Sequence, residues 1–137
     1  MARRITGARG DLRSHYRREH PRRHHDCCRL AHADLTNTCV KQSNLEGADF
    51  EGATLVLMCM PYGDCRNASF RGANLSGANL AHARLDGTDL TGARLTITGI
   101  KGADLRRAKG LTRAQVDQAC DDAETRLPAP LRVRTSS

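Results

Sequence analysis

From Leu30 onward, every fifth residue is apolar: Leu30, Leu35, Val40, Leu45, Phe50, Leu55, Met60, Cys65, Phe70, Leu75, Leu80, Leu85, Leu90, Leu95, Ile100 and Leu105. With 39% of the chain apolar, chance fills those sixteen positions in one register only roughly 3 times in 10 million. A second rule runs two residues ahead of each centre. Those positions hold Cys28, Ala33, Thr38, Ser43, Ala48, Ala53, Met58, Gly63, Ala68, Ala73, Ala78, Ala83, Thr88, Ala93, Thr98 and Ala103. All are small except Met58.

A period of five fits neither the 3.6 of a helix nor the 2.0 of a strand. A helix would smear the leucines around its circumference. A flat strand would send successive centres to opposite faces. A chain that turns a corner after each pentapeptide avoids both. The centre and the small residue two before it then point inward, as strand alternation demands, and the flanking residues point outward. Gly72, Gly77, Gly87, Gly92 and Gly102 fall on those flanks, which suits tight corners.

The pentapeptides ADFEG, ANLSG, ANLAH, TDLTG and ADLRR resemble the pentapeptide-repeat family, with its consensus A(D/N)LXX, over about residues 28–108. The resemblance implies an all-β fold: a right-handed quadrilateral parallel β-helix of about four coils. With neighbouring strands roughly 4.8 Å apart, the stack is about 19 Å tall. Four sides per coil place residues 20 apart in columns. Leu30, Phe50, Phe70 and Leu90 form one interior column, which brings the two phenylalanines of the chain together. Outside, Glu46, Arg66, Asp86 and Arg106 alternate in sign. In the column Asn44, Asp64, Arg84, Asp104, Arg84 is placed to neutralise both neighbours. Like charges directly opposite are unfavourable, so these columns support the register.

The body therefore spans 27–110. A solenoid needs caps. Thr112 and Gln115 have the spacing of a capping box, with Leu111 and Val116 as its hydrophobic staple. Val116, Ala119, Cys120 and Ala123 share one helical face, which predicts a short α-helix over about 112–124 as the C-terminal cap. Residues 111–137 also hold Leu127 and Leu131, expected to fold back on the last coil. The stretch resembles a tail found in many bacterial members of the family. The N-terminal coil lacks an evident cover, and stacking of two such ends would give self-association.

Net charge is +7 over 137 residues. Eight arginines, Arg3, Arg4, Arg9, Arg13, Arg17, Arg18, Arg22 and Arg23, face three acids in residues 1–26, a balance of +5. Such a basic, weakly apolar segment is expected to be a disordered tail. It offers salt-sensitive attachment to an anionic polymer, nucleic acid or membrane surface. Residues 27–110 carry +2 and residues 111–137 balance. One branch of the resembled family mimics DNA and binds DNA gyrase, which needs a strongly negative rod; this basic body argues against it.

No apolar run approaches the roughly 20 residues that span a bilayer, and no secretory signal is read at the N-terminus. The default compartment is the cytoplasm, with export following if the true start lies elsewhere. No C-x(2–4)-C pair of a zinc site occurs; His24, His25, Cys27 and Cys28 form the nearest cluster. No nucleophile–base arrangement, phosphate-binding glycine loop or ligand cavity is expected, and hence no cofactor. His32 and His82 are outward and solvated. Cys39 and Cys59 share an exterior column one coil apart, where a disulfide would need an oxidising compartment. Leu57 and Tyr62 occupy outward corners, and Ile97 lies above Leu57 two coils on. Single exposed apolar residues are common, but these three mark a candidate partner-binding patch. The reading is a non-catalytic protein-binding or scaffold module with an unidentified protein partner.

Overall fold

The computed structural model describes residues 29–39 and 44–132. The arginine segment, the Cys27–Cys28 pair and the N-terminal domain boundary lie outside these. The backbone advances by isolated parallel bridges that join residues 20 apart as far as Lys109; the last two, Gly99 with Cys120 and Asp104 with Arg126, span 21 and 22 residues. The bridges form four columns, one per side. Face 1 is Arg29, Asp49, Ser69, Asp89 and Lys109. Face 2 is Asp34, Thr54, Asn74 and Arg94. Face 3 is Cys39, Cys59, Asn79, Gly99 and Cys120, and face 4 is Asn44, Asp64, Arg84, Asp104 and Arg126.

Each side is short because a turn follows every centre. The amide of the next small residue donates back to the centre's carbonyl, as in Ala53 N–H to Phe50 O at 3.0 Å. The residue just before that small one has positive φ at every described corner. A positive φ at the third residue is the mark of a type II turn, which favours glycine or asparagine. Gly47, Gly52, Gly72, Gly77, Gly87, Gly92 and Gly102 supply it without strain.

The ladder and the turn employ four of the five amides in a repeat. The amide after the centre is left over. An Asp or Asn just before the centre accepts it through Oδ1, two residues back, as in Asp49 with Glu51 at 3.0 Å and Asn74 with Ser76 at 3.1 Å. This local side-chain turn is the physical reason for the D/N of the consensus.

The interior follows the fivefold rule. Every described centre is buried, as is every described small position through Ala103. Phe50 and Phe70 stack with centroids 5.0 Å apart and planes within 6°. The interior Thr88 and Thr98 hydroxyls donate to the Leu85 and Leu75 carbonyls, at 2.8 and 2.6 Å. Met58 breaks the small-residue rule yet is 1% exposed. Gly63 makes room for the neighbouring centre Met60: a Cβ there would stand 2.6 Å from Met60 Cγ.

The C-terminal cap differs from the expectation. The helix α1 is Arg113–Gln118, six residues rather than a run to 124. The Thr112–Gln115 capping box is present and Val116 is buried. After α1 the chain returns to the ladder, where Cys120 bridges Gly99 and Arg126 bridges Asp104. The last circuit presents inward-stacked amides and carbonyls that need partners. Ile100 N–H donates to Cys120 O, and Leu105 N–H to Arg126 O. Six more helical residues would have left those groups bare. Where face 2 would continue, α1 stands in, and Gln115 Nε2 donates to Leu90 O and Ala93 O. Leu127 packs on the core as expected.

At the other end, Leu30, Leu35 and Leu45 have no exposed surface. No bare apolar end is therefore seen among the described residues.

The charged columns pair differently from the expectation. Asp64 and Asp104 are held by Arg66 and Arg106 of their own circuits, each contact 2.8 Å, rather than chiefly by Arg84. An arginine two residues on shares the turn that positions the carboxylate, whereas Arg84 must reach across a strand spacing. The Arg66 guanidinium hydrogen-bonded to Asp64 keeps its carboxyl below the usual carboxylate range. Asp104 is lowered in the same way by Arg106. On face 1 the Thr91 hydroxyl, the Thr91 amide and Arg71 hold Asp89 down to about 2.

Two outcomes follow. Phe70→Ala removes half of the ring stack and should cost about 3–5 kcal/mol in denaturant unfolding. Because Asp89 is depressed, its contribution to stability is present above the ordinary carboxylate pKa and is lost as pH falls towards about 2. Asp89→Asn keeps the turn-capping oxygen but removes the charge. Its acid unfolding curve, followed by circular dichroism, should be flatter between about pH 4 and 2 than that of the parent chain.

Candidate interaction surface

Large apolar side chains are exposed at three described positions: Leu57 (56%), Tyr62 (59%) and Ile97 (65%). All three stand at corners with positive φ, +59° for Leu57, +61° for Tyr62 and +48° for Ile97. A left-handed residue with a side chain costs roughly 1–2 kcal/mol, and β-branched Ile97 is the most unusual of them. The fold asks for glycine at these places, and seven other corners have it. Strain of this kind is tolerated where the side chain is needed for something else.

The two corner columns involved enclose one side of the solenoid. Leu57, Gly77 and Ile97 lie between faces 2 and 3. Tyr62, His82 and Gly102 lie between faces 3 and 4. Face 3 is thus framed by apolar residues on both edges. Leu57 leans over Gly77, where an added Cβ would meet Leu57 Cδ2 at 2.8 Å, and Ile97 approaches from the far side. On the opposite edge the Tyr62 ring stacks on His82, centroids 4.9 Å apart.

Between these edges the outward residues are Cys39, Cys59, Asn79 and Gly99, with Val56 and Pro61 beside the corners. Among the described residues the charges on these bridge and turn positions are Lys101 and, where the chain returns after α1, Asp121 and Asp122. Ion pairs lie elsewhere: Arg66 with Glu46 and Asp64, Arg106 with Asp104, and Arg71 with Asp89. Among the described residues, face 3 carries no ion pair along its Cys39–Gly99 column.

The expected patch of Leu57, Tyr62 and Ile97 is exposed at all three positions. That the three edge one and the same face was missed, because it needs the order of the corners as well as the fivefold beat. His32 and His82 are exposed at corners, as read from the sequence. Cys39 and Cys59 are bridge partners in direct register and both are thiols. Cys65 is an interior centre, and burial pushes its thiol pKa up, away from reactivity. Two open depressions lie at the C-terminal end, one beside α1 and one beside Asp104 and Arg126.

Comparison with known proteins agrees with this geometry. The family model of pentapeptide repeats matches residues 28–60 and 64–96, in 8 copies. A solved pentapeptide repeat protein from the Arabidopsis thaliana thylakoid lumen is 28% identical, with 64% of each chain covered and a TM-score of 0.39. Rfr23, from the cyanobacterium Cyanothece 51142, is 24% identical over 92% of this chain and 85% of its own, with a TM-score of 0.47. QnrB1, a plasmid-mediated fluoroquinolone resistance protein, is 16% identical over 88% of this chain and 55% of its own, with a TM-score of 0.54. The chain thus spans less than two thirds of the length of two of these three. Among curated proteins no match is found. Pentapeptide-repeat proteins fold as right-handed quadrilateral β-helices and are in general structural or binding modules rather than enzymes. By its fivefold beat, its four in-register columns and its match to the repeat model, this chain belongs to the pentapeptide-repeat family.

Proposed function

We propose that this chain is a non-catalytic pentapeptide-repeat module that binds a protein partner across face 3. One observation carries the reading: Leu57, Tyr62 and Ile97 are exposed, strained and gathered on the two edges of the same side. Solenoids present such flat, regular sides to partners, and apolar and aromatic anchors supply most of the energy at interfaces. We read the body as about four coils over 27–110, closed by α1 and the returning strands of residues 111–137. This is a rigid support, which lowers the entropic cost of presenting the patch.

A second reading rests on charge. The eight arginines of residues 1–26 give that segment +5, which favours salt-sensitive attachment to an anionic polymer. A DNA-mimic role towards DNA gyrase is disfavoured, because the carboxylates of the body are paired with arginines rather than arrayed as a negative rod. Among the described residues no helix is long and apolar enough to cross a membrane. A structural neighbour comes from the thylakoid lumen, so the fold does not by itself assign a compartment.

The test is a variant carrying Leu57→Gly, Tyr62→Gly and Ile97→Gly. Relief of left-handed strain, about 1–2 kcal/mol per site, is partly offset by the entropy of glycine, about 0.5–1 kcal/mol. Thermal unfolding should therefore show unchanged or slightly raised stability. Quantitative affinity capture with the full chain should show partner binding weakened at least tenfold. Equal capture by both chains would refute the face 3 reading. Loss of capture only when the eight arginines are replaced by serine would support the anionic-polymer reading instead.

A further inference from the structure

The two edges of face 3 differ level by level. The corners between faces 2 and 3 read Leu57, Gly77, Ile97, and those between faces 3 and 4 read Tyr62, His82, Gly102. In the third circuit Gly77 therefore stands across the face from His82, and in the fourth Gly102 stands across from Ile97. The second circuit has a large side chain on both edges. A glycine beside a ring or a branched chain is a step down in relief. Leu57 leans beneath Gly77 and the His82 ring beneath Gly102, so each step has an apolar or aromatic floor.

This relief is self-complementary under one operation. Two copies set face 3 to face 3 with rods parallel are related by a two-fold axis along the rod, which exchanges the two edges and makes each contact twice. Ile97 then stands opposite the partner's Gly102, His82 opposite the partner's Gly77, and Leu57 opposite the partner's Tyr62 as an aliphatic–aromatic pair. Turning the second rod end for end instead sets Leu57 against the partner's Ile97 and His82 against its own copy, so bulk meets bulk on both edges. The middle of the face suits the same axis. Asn79 is exposed and stands opposite itself. Its Oδ1 accepts the Ala81 amide at 3.0 Å and has a second lone pair for the partner's Nδ2 hydrogens.

Charge selects this side as well. The chain carries +7, so two copies repel over most approaches. In the second and third circuits no Asp, Glu, Lys or Arg occupies a bridge or turn position of face 3, and in the fourth Lys101 would face the partner's Thr96. Four circuits of about 4.8 Å and five residues of roughly 3.3 Å bound a strip on the order of 300 Å². A standard interface covers roughly 800 Å² per partner, so the contact is weak and reversible.

We propose that face 3 pairs two copies of this chain side by side, rods parallel, about a two-fold axis along the rod. The pairing rests on the reading of face 3 as a docking side and names its occupant.

Sedimentation velocity of the full-length chain, under reducing conditions from micromolar to millimolar concentration, should show a monomer–dimer equilibrium. Added salt should tighten it, because screening removes the repulsion between copies while the contact holds no ion pair. Asn79→Lys sets two ammonium groups face to face, and the variant carrying Leu57→Gly, Tyr62→Gly and Ile97→Gly removes the anchors. Each should weaken dimerisation at least tenfold, with folding checked by circular dichroism. Thr96→Glu reads the direction of the rods: it meets the partner's Lys101 twice, and two exposed ion pairs should tighten the dimer about fivefold at low salt. A monomer at every concentration, a dimer loosened by salt, or a dimer indifferent to both Asn79→Lys and the glycine variant would overturn the pairing. A dimer unchanged by Thr96→Glu would overturn its parallel arrangement. A monomeric chain that still loses a captured protein in the glycine variant would refute the pairing alone and leave the docking reading standing.

Discussion

A backbone that turns a corner every five residues must place one residue per corner at positive φ, and everything else in this molecule follows from meeting that demand. Once the corner is made, the centre and the small residue before it point inward, and each circuit lies over the last with an offset of 20 residues. Amides and carbonyls then find partners in the neighbouring circuits. Where an Asp or Asn precedes the centre, as in eight described repeats, it caps the amide left over. The interior fills with side chains that each sit on their own counterpart, of which the Phe50–Phe70 stack is the bulkiest case.

The same demand explains why departures are informative. Glycine at a corner carries no strain, so a leucine, tyrosine or isoleucine there lowers stability unless its exposed side chain has another use. The three such residues edge the same side, and that side lacks the ion pairs found on faces 1 and 4. The neighbouring glycines are part of the arrangement: Gly77 accommodates Leu57 in space a methyl group would fill. Around Met60 the same exchange of volume occurs inside, where Gly63 yields the room. The second circuit therefore departs from the repeat both inside and out, and its register survives.

The described interior was legible in the sequence, because centres take apolar side chains and the positions two before them take small ones, Met58 excepted. The exterior was legible only in part. The columns of alternating charge were read correctly as columns, but the close partner of Asp64 proved to be Arg66 rather than Arg84. Spacing along a ladder does not reveal which neighbour shares a turn. The D/N of the repeat was visible as a letter and not as a hydrogen bond. The helix was foreseen with its capping box but drawn too long, since helical periodicity through Ala123 competes with unsatisfied ladder groups that only the stacked body presents. The pairing of Cys39 with Cys59 followed directly from the 20-residue offset. The framing of face 3 did not, as it depends on which two corners border which side.

The offset itself is open to direct measurement, because the chain has only two phenylalanines. An isotope-edited nuclear Overhauser experiment on the full-length protein, with the Phe rings labelled, reports whether they touch. Stacked rings with centroids 5.0 Å apart should give strong cross-peaks between the Phe50 and Phe70 ring protons, and these should vanish in Phe70→Leu. Well-resolved rings with no cross-peak between them, in a protein otherwise folded, would contradict the in-register tube.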